Sequence, residues 1–143
     1  MDSPIVRSPV GAAADVDKAI ELDPSYWPAF AGRAMSEAFG ADCTKALADA
    51  DKAIELDAEF PSAYDARALC RAEARDLDGA LDDADKAIAL GRGDAFAFWV
   101  RGLIHAECGD DVAARADLLR AIDLAPAPDF AAQIRAQMAE YGL

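Results

Sequence analysis

The hydrophobic and polar positions of this chain repeat with a period of 34 residues. Four segments share an acidic residue, a basic residue three positions later, then Ala-Ile and a closing Leu, and they begin at Asp15, Asp49, Asp83 and Asp117. The apolar residues of each segment can be buried on one side of a helix that exposes its charged residues on the other side. The pattern therefore predicts the same amphipathic helix four times.

A second block of residues keeps the same register. It has an aromatic position (Phe30, Tyr64, Phe98), a basic position (Arg33, Arg67, Arg101, Arg135) and a small position (Ala34, Ala68, Gly102, Ala136). Two separated blocks with one common period are not expected by chance. They predict a hairpin of two helices in every repeat, and each hairpin must stack on its neighbours to cover its apolar face.

Glycine and proline residues mark where these helices end and begin. Gly40, Gly91, Gly109 and Gly142 suit helix C-termini, whereas the prolines at 24, 61, 126 and 128 fall between helices or in first turns. We predict helices over residues 11–22, 25–39, 44–57, 61–75, 78–90, 94–108, 111–124 and 129–141. These make three complete hairpins flanked by half repeats.

The two blocks resemble the tetratricopeptide-repeat family, which has the same period and an alanine-rich signature. Further matches are the alanines at 46, 80 and 114, those at 53, 87 and 121, and Pro24 and Pro126 at the closing position. Ala58 and Arg92 replace that proline in the middle repeats, and Ala50 and Ala84 replace an aromatic of the second helix. The resemblance implies an all-α, right-handed superhelical solenoid of antiparallel helix hairpins.

The repeats also divide the chain. We predict an irregular segment over residues 1–10 and an array over 11–143, made of a half repeat (11–26), full repeats (27–60, 61–94, 95–128) and a terminal capping helix (129–141). Pro4 and Pro9 lie where the partner of the first helix is expected. Three explanations stay open: an irregular cap, a second subunit that covers this face, or excision from a longer array.

Composition and charge narrow the function. Hydrophobic residues make up 54% of the chain, mostly as alanine, and aromatics only 8%, which favours close-packed helices. The formal charge of −13 disfavours nucleic acid and anionic membranes as partners. The chain has neither a long apolar stretch nor the apolar core of a signal peptide, so we expect a soluble, cytoplasmic protein.

No residue pattern points to catalysis, a metal or a cofactor. His105 is the only histidine, and no phosphate-binding loop or nucleophile motif is present. Cys43, Cys70 and Cys108 fit neither a metal site nor a disulfide framework, so we expect three small core residues in a reducing compartment. Arg33 and Asp49, Arg67 and Asp83, and Arg101 and Asp117 are each 16 residues apart, which predicts one structural ion pair per hairpin.

The family resemblance implies a concave groove lined by the first helix of each hairpin. Its candidate binding residues are Met35, Phe39, Asp65, Leu69, Glu73, Phe96, Trp99, Leu103, Glu107, Phe130, Gln133, Gln137 and Tyr141. Such a groove is apolar with an acidic component and suits a partner with apolar and basic residues. It lacks the Lys, Arg and Asn with which one branch of the family binds acidic tails. Alternatively, Phe96, Trp99 and Leu103 pack against the next hairpin as core.

The sequence therefore predicts a non-catalytic scaffold that binds a protein or peptide segment. One alternative is a self-assembly unit that stacks through its open repeat ends, with a homo-oligomer formed through the incomplete N-terminal half repeat. The other is an accessory domain excised from a larger protein.

Overall fold

The structure is a computed structural model that describes residues 9–40, 42–91 and 93–143, with side chains described from residue 15 onward. Every regular element in these ranges is an α-helix: α1 (Pro9–Leu22), α2 (Trp27–Phe39), α3 (Cys43–Leu56), α4 (Pro61–Glu73), α5 (Leu77–Gly91), α6 (Ala95–Glu107), α7 (Asp111–Leu124) and α8 (Pro128–Tyr141). The predicted helices agree with these to within two residues at each end. Residues 1–8 of the predicted irregular segment lie outside the described ranges, and Pro9 and Val10 belong to α1.

The helix ends follow from local sequence. Asp42, Asp76 and Asp110 precede α3, α5 and α7, and each side chain accepts a hydrogen bond from the backbone N–H three residues later. These caps satisfy N–H groups that the helix itself leaves unbonded. Proline occupies the first turn of α2, α4 and α8, where its missing N–H costs nothing.

The helices pack as stacked hairpins. Helices α2 and α3, α4 and α5, and α6 and α7 form the three complete hairpins, while α1 packs on α2 and α8 on α7. We call α2, α4, α6 and α8 the first helices and α1, α3, α5 and α7 the second helices. Alanine dominates their contacts because its small side chain allows close approach, and the alanines at 34, 46, 53, 68, 80, 87, 114 and 121 are all fully buried.

The core is thickest in the third hairpin. Its cluster includes Trp99, Val100, Ile104 and Leu118. Leu118 occupies the position where the first two hairpins carry alanine, and Gly102 of α6 makes room for it. A Cβ atom at Gly102 would lie 2.8 Å from both Cγ and Cδ2 of Leu118.

The cysteine prediction is wrong, because Cys43 and Cys70 form a disulfide and Cys108 is exposed. Cys43 begins α3 and Cys70 lies in the last turns of α4, so the turn between these two helices brings their Cα atoms to 5.3 Å. The sequence separation of 27 residues, which looked unsuited to a disulfide, corresponds to the length of α3, the turn after it and the return along α4. Such bonds persist mainly in oxidising compartments. No helix within the described ranges is long and apolar enough to span a membrane.

Candidate protein-binding surface

The thirteen candidate binding residues lie on the first helices with very different exposure. Phe39, Glu73, Glu107, Gln133 and Tyr141 are exposed, whereas Asp65 and Trp99 are buried. The remaining residues, Met35, Leu69, Phe96, Leu103, Phe130 and Gln137, are half-buried. We call the side of the first helices that carries these residues the groove surface.

Four aromatic rings meet on the groove surface. The Trp99 ring centroid lies 5.1 Å from that of Phe96, 5.8 Å from that of Phe130 and 6.1 Å from that of Phe39. Phe39 also contacts Phe96 edge-on at 6.1 Å. We call these four residues the aromatic cluster. It joins α2, α6 and α8, which are distant in sequence.

Trp99 is the buried member of the aromatic cluster. Only 4% of the residue is accessible, and its Nε1–H donates a 2.6 Å hydrogen bond to Oε1 of Gln137 on α8. The ring therefore packs against the next helix, which agrees with the alternative interpretation of Trp99 as a core residue. Phe39 is 58% exposed, so the accessible apolar area of the cluster comes from Phe39, Phe96 and Phe130.

An apolar cavity of about 480 Å³ opens beside the aromatic cluster. It lies between the start of α6, the end of α7 and the start of α8, and its lining residues are Asp94, Ala95, Phe96, Leu124, Pro126 and Phe130. Sequence reasoning missed it because only residues of the first helices were considered. Leu124 and Pro126 come from the end of α7 and the loop after it. The helix-breaking Pro126 was the feature of the sequence that marked this place.

Asp65 contributes little negative charge to the groove surface. The residue is 3% exposed, and its Oδ1 is buried with no hydrogen-bond partner among the described residues. Burial, assisted by the negative charge of Asp94, raises the pKa of Asp65 to about 8. The carboxyl is therefore mainly protonated at neutral pH, contrary to the acidic role predicted for it.

Glu107 is largely neutralised by a neighbour that the sequence prediction left out. Its Oε2 accepts a 2.8 Å hydrogen bond from Nη1 of Arg75, and its Oε1 accepts one of 2.6 Å from the hydroxyl of Tyr141. The hydrogen bond to Glu107 raises the pKa of Tyr141 to about 12. Among the acidic candidates, Glu73 is left as the exposed carboxylate, so the groove surface is less acidic than its sequence suggested.

A ladder of arginines runs through the three hairpins. The fork of each arginine donates two hydrogen bonds of 2.7–2.9 Å to the aspartate 16 residues later, which gives the pairs Arg33–Asp49, Arg67–Asp83 and Arg101–Asp117. The guanidinium groups also lie 5.5–5.8 Å from the ring centroids of Phe30, Tyr64 and Phe98. The hydrogen bonds to the aspartates hold the two helices of each hairpin together, whereas each ring lies on the same helix as its arginine.

Each arginine of the ladder has a second carboxylate, which the sequence prediction missed. Nη1 donates at 2.8–2.9 Å to an aspartate 16 residues earlier, on the preceding second helix, namely Asp17, Asp51 and Asp85 for the three hairpins in order. Consecutive second helices are thus bridged through one guanidinium. The signal was the recurrence of these aspartates at the 34-residue period.

Comparison with known proteins identifies the fold. No family sequence model matches the chain, and no curated protein does. Among solved structures, YrrB, described as a TPR protein with an unusual peptide-binding site, aligns with 26% identity and a TM-score of 0.68 over 79% of this chain and 58% of its own. The chain thus corresponds to less than two thirds of YrrB.

Two further structures agree. The TPR domain of Arabidopsis OM64 aligns with 21% identity and a TM-score of 0.67 over 80% of this chain and 95% of its own. MamA aligns with 20% identity and a TM-score of 0.66 over 92% and 83%. The predicted fold is confirmed: the chain is an all-α solenoid of tetratricopeptide-type hairpins.

Proposed function

We propose that this chain is a non-catalytic scaffold whose groove surface binds an extended or helical segment of another protein. The observation that carries the proposal is the aromatic cluster. Its accessible rings come from α2, α6 and α8, so a single bound segment would contact several repeats at once. Exposed rings held on a rigid scaffold are typical of the residues that dominate protein interfaces.

The cavity beside the aromatic cluster supplies a place for an apolar anchor. Its volume of about 480 Å³ lies within the usual range for ligand pockets of ~300–1,000 Å³. A leucine or aromatic side chain of the partner would be buried against Phe96, Phe130 and Leu124. Burial of that kind stabilises a complex by about 25 cal/mol per Å², so apolar contact provides most of the affinity.

Charge then selects among apolar segments. Asp94 lies at the cavity, Glu73 is exposed on the groove surface, and the chain carries a formal charge of −13. A partner segment with Lys or Arg beside its apolar anchors is therefore favoured over an acidic one. Because Asp65 is protonated and Glu107 is paired with Arg75, the charge effect falls mainly on the association rate and its salt dependence.

Calorimetry with two matched peptides tests this proposal, one basic and apolar and the other ending in an acidic tail. The basic peptide should bind more tightly, and Phe39→Ser should weaken it about tenfold. Phe39 is chosen because it is exposed, whereas Trp99→Ala would damage the core. Val112→Ser on α7, at an 83% exposed position off the groove surface, is the matched control. Tighter binding of the acidic peptide, or no effect of Phe39→Ser, would overturn the proposal.

The last helix favours a second candidate, self-assembly. On α8, Ala136 is exposed, although Ala34 and Ala68 at the equivalent positions are fully buried. Arg135 is exposed too, and within the described residues it forms none of the forked contacts of the arginine ladder. A second helix from another copy would complete this hairpin. Light scattering after size exclusion tests it, since a monomer at every concentration excludes assembly.

A further inference from the structure

A second cavity, outside the groove surface, lies between α1, α2 and α3. Its volume is about 920 Å³, and it shares no residue with the aromatic cluster or the other candidate binding residues. Val16, Ile20 and Gly32 provide apolar lining, and Glu37, Lys45 and Asp49 provide charge. We call it the N-terminal cavity. Any ligand here is independent of the function proposed for the groove surface.

Gly32 lies on the wall of the N-terminal cavity. The positions equivalent to Gly32 in the later repeats hold Ala66, Val100 and Ile134, side chains of increasing size that are all fully buried. Gly32 is exposed, and a Cβ atom built there would have no neighbour within 4 Å among the described residues. Among the described residues, the position that neighbouring helices bury in the later repeats is therefore open in the first repeat.

The charge in the cavity is also specific to the first repeat. In the second repeat, Arg71 donates a 2.8 Å hydrogen bond from Nη1 to Oδ2 of Asp83. The position equivalent to Arg71 is His105 in the third repeat, with Nε2 3.7 Å from Asp117, and Glu37 in the first. The first repeat thus places a second carboxyl group where its neighbours have a nitrogen base or cation.

Glu37 lacks a partner for one of its oxygens. Its side chain is 16% exposed, and Oε2 is buried with no hydrogen-bond partner among the described residues. The groups around it are Asp49, Lys45 and Arg33, whose Nε lies 3.9 Å from the carboxyl. Burial, followed by the hydrogen bond and charge of Asp49, raises the pKa of Glu37 to about 7. A buried oxygen without a donor favours a ligand that brings one.

We propose that the N-terminal cavity binds an arginine side chain of a partner protein. The guanidinium occupies the place that Arg71 fills in the second repeat, donating to Oε2 of Glu37 and to Asp49. The aliphatic part of the side chain lies over Val16 and the open space at Gly32. Arginine suits the site because its planar fork can donate to two carboxylates at once.

Two substitutions taken from the other repeats test the site. Gly32→Val fills the space as Val100 does, and Glu37→Arg supplies the guanidinium from within the chain. The probes are acetyl-Ala-Arg-Ala-amide and its citrulline counterpart, which has the same shape without the charge. Chemical-shift titration of the ¹⁵N-labelled protein reports where each peptide binds. Val112→Ser, at an exposed position of α7 outside both the N-terminal cavity and the groove surface, is the control for the location.

The arginine peptide should shift the amide signals of α1, α2 and α3 and bind at least about tenfold more tightly than the citrulline peptide. Both Gly32→Val and Glu37→Arg should abolish this binding, and Val112→Ser should leave it unchanged. Because Glu37 must ionise to hold the cation, affinity should also rise about tenfold from roughly pH 6 to pH 8. Glu37→Gln should remove that rise.

Equal binding of the two peptides, or shifts confined to other helices, would overturn the assignment. Binding of the arginine peptide to Glu37→Arg with wild-type affinity would also overturn it. This variant still tests the site if Gly32→Val fails to fold.

Discussion

The contact between Gly102 and Leu118 gives the sharpest test of how the hairpins pack. In an open helix, Gly→Ala gains about 1 kcal/mol because alanine loses less backbone entropy. At Gly102 the new Cβ atom would lie 2.8 Å from two atoms of Leu118 and 3.2 Å from Cβ of Asp117. Carbon atoms prefer separations of about 3.5–4.0 Å, and the fully buried Leu118 has little room to move.

The free energy of unfolding should therefore fall. Overpacking of this kind costs about 1–3 kcal/mol, which exceeds the helix-propensity gain and leaves Gly102→Ala about 1 kcal/mol less stable than the wild type. Leu118→Ala alone should cost about 3 kcal/mol through the cavity it creates. Together, the two changes reproduce the alanine pair that Ala68 and Ala84 form in the second hairpin. In the Leu118→Ala protein, Gly102→Ala should then stabilise by about 1 kcal/mol.

Urea unfolding of the four proteins measures this cycle, with equal slopes as the condition for comparing midpoints. The expected coupling is about 2 kcal/mol, and the sign of the Gly102→Ala effect reverses between the two backgrounds. Gly32→Ala is the matched control, since no atom of the described part of the chain lies within 4 Å of its new Cβ and it should simply stabilise. If Gly102→Ala stabilises as Gly32→Ala does, or if the two effects add, the close packing described here is wrong.

Four other outcomes follow from the contacts. Arg67→Leu should lower the free energy of unfolding by about 3 kcal/mol, because Asp83 loses its forked partner. Adding Asp83→Leu should recover part of this loss in chemical unfolding, and simple additivity of the two effects would contradict the pairing. Because folding raises the pKa of Asp65 from 3.8 to about 8, the unfolded carboxyl ionises first, so stability should fall as the pH rises from about 4 towards 8 and level off above that. Unfolding experiments at low and high pH check this: between the two, the free energy of unfolding of the wild type should fall by roughly 2 kcal/mol more than that of Asp65→Ala. Arg75, with φ of 65°, stands where the next hairpin has a glycine, so Arg75→Gly should raise the free energy of unfolding in urea by about 0.5 kcal/mol, and a fall would show that its ion pair matters more. In protein refolded with oxidised glutathione, thiol alkylation under denaturing conditions should label Cys108 alone, and labelling of all three cysteines would exclude the disulfide.

The sequence predicted the helices well because their ends depend on local chemistry. Glycines and prolines lie at the boundaries, and the 34-residue period places the second helix after each hairpin turn. The partners Arg67 and Asp83 were equally predictable, since both belong to one hairpin and the turn between its helices fixes their separation. Positions within a hairpin are therefore well determined by the periodic pattern.

Contacts between repeats were harder to predict, because they depend on how far each hairpin rotates relative to the previous one. That rotation decides that Arg67 also reaches Asp51, that Trp99 is covered by α8, and that Asp65 is buried. The cavity at Gly32 has the same origin. Gly32 was visible in the sequence. The open space beside it depends on where α1 and α3 lie, which the sequence pattern does not give.

The disulfide has a mechanical consequence for the chain. A solenoid pulled from its two ends would normally unravel and add the length of every hairpin to its reach. The bond between Cys43 and Cys70 carries tension directly from the start of α3 to the end of α4, so the 27 residues of that interval bear none of it. At about 3.4 Å per extended residue, the stretched oxidised chain should be roughly 90 Å shorter than the reduced one.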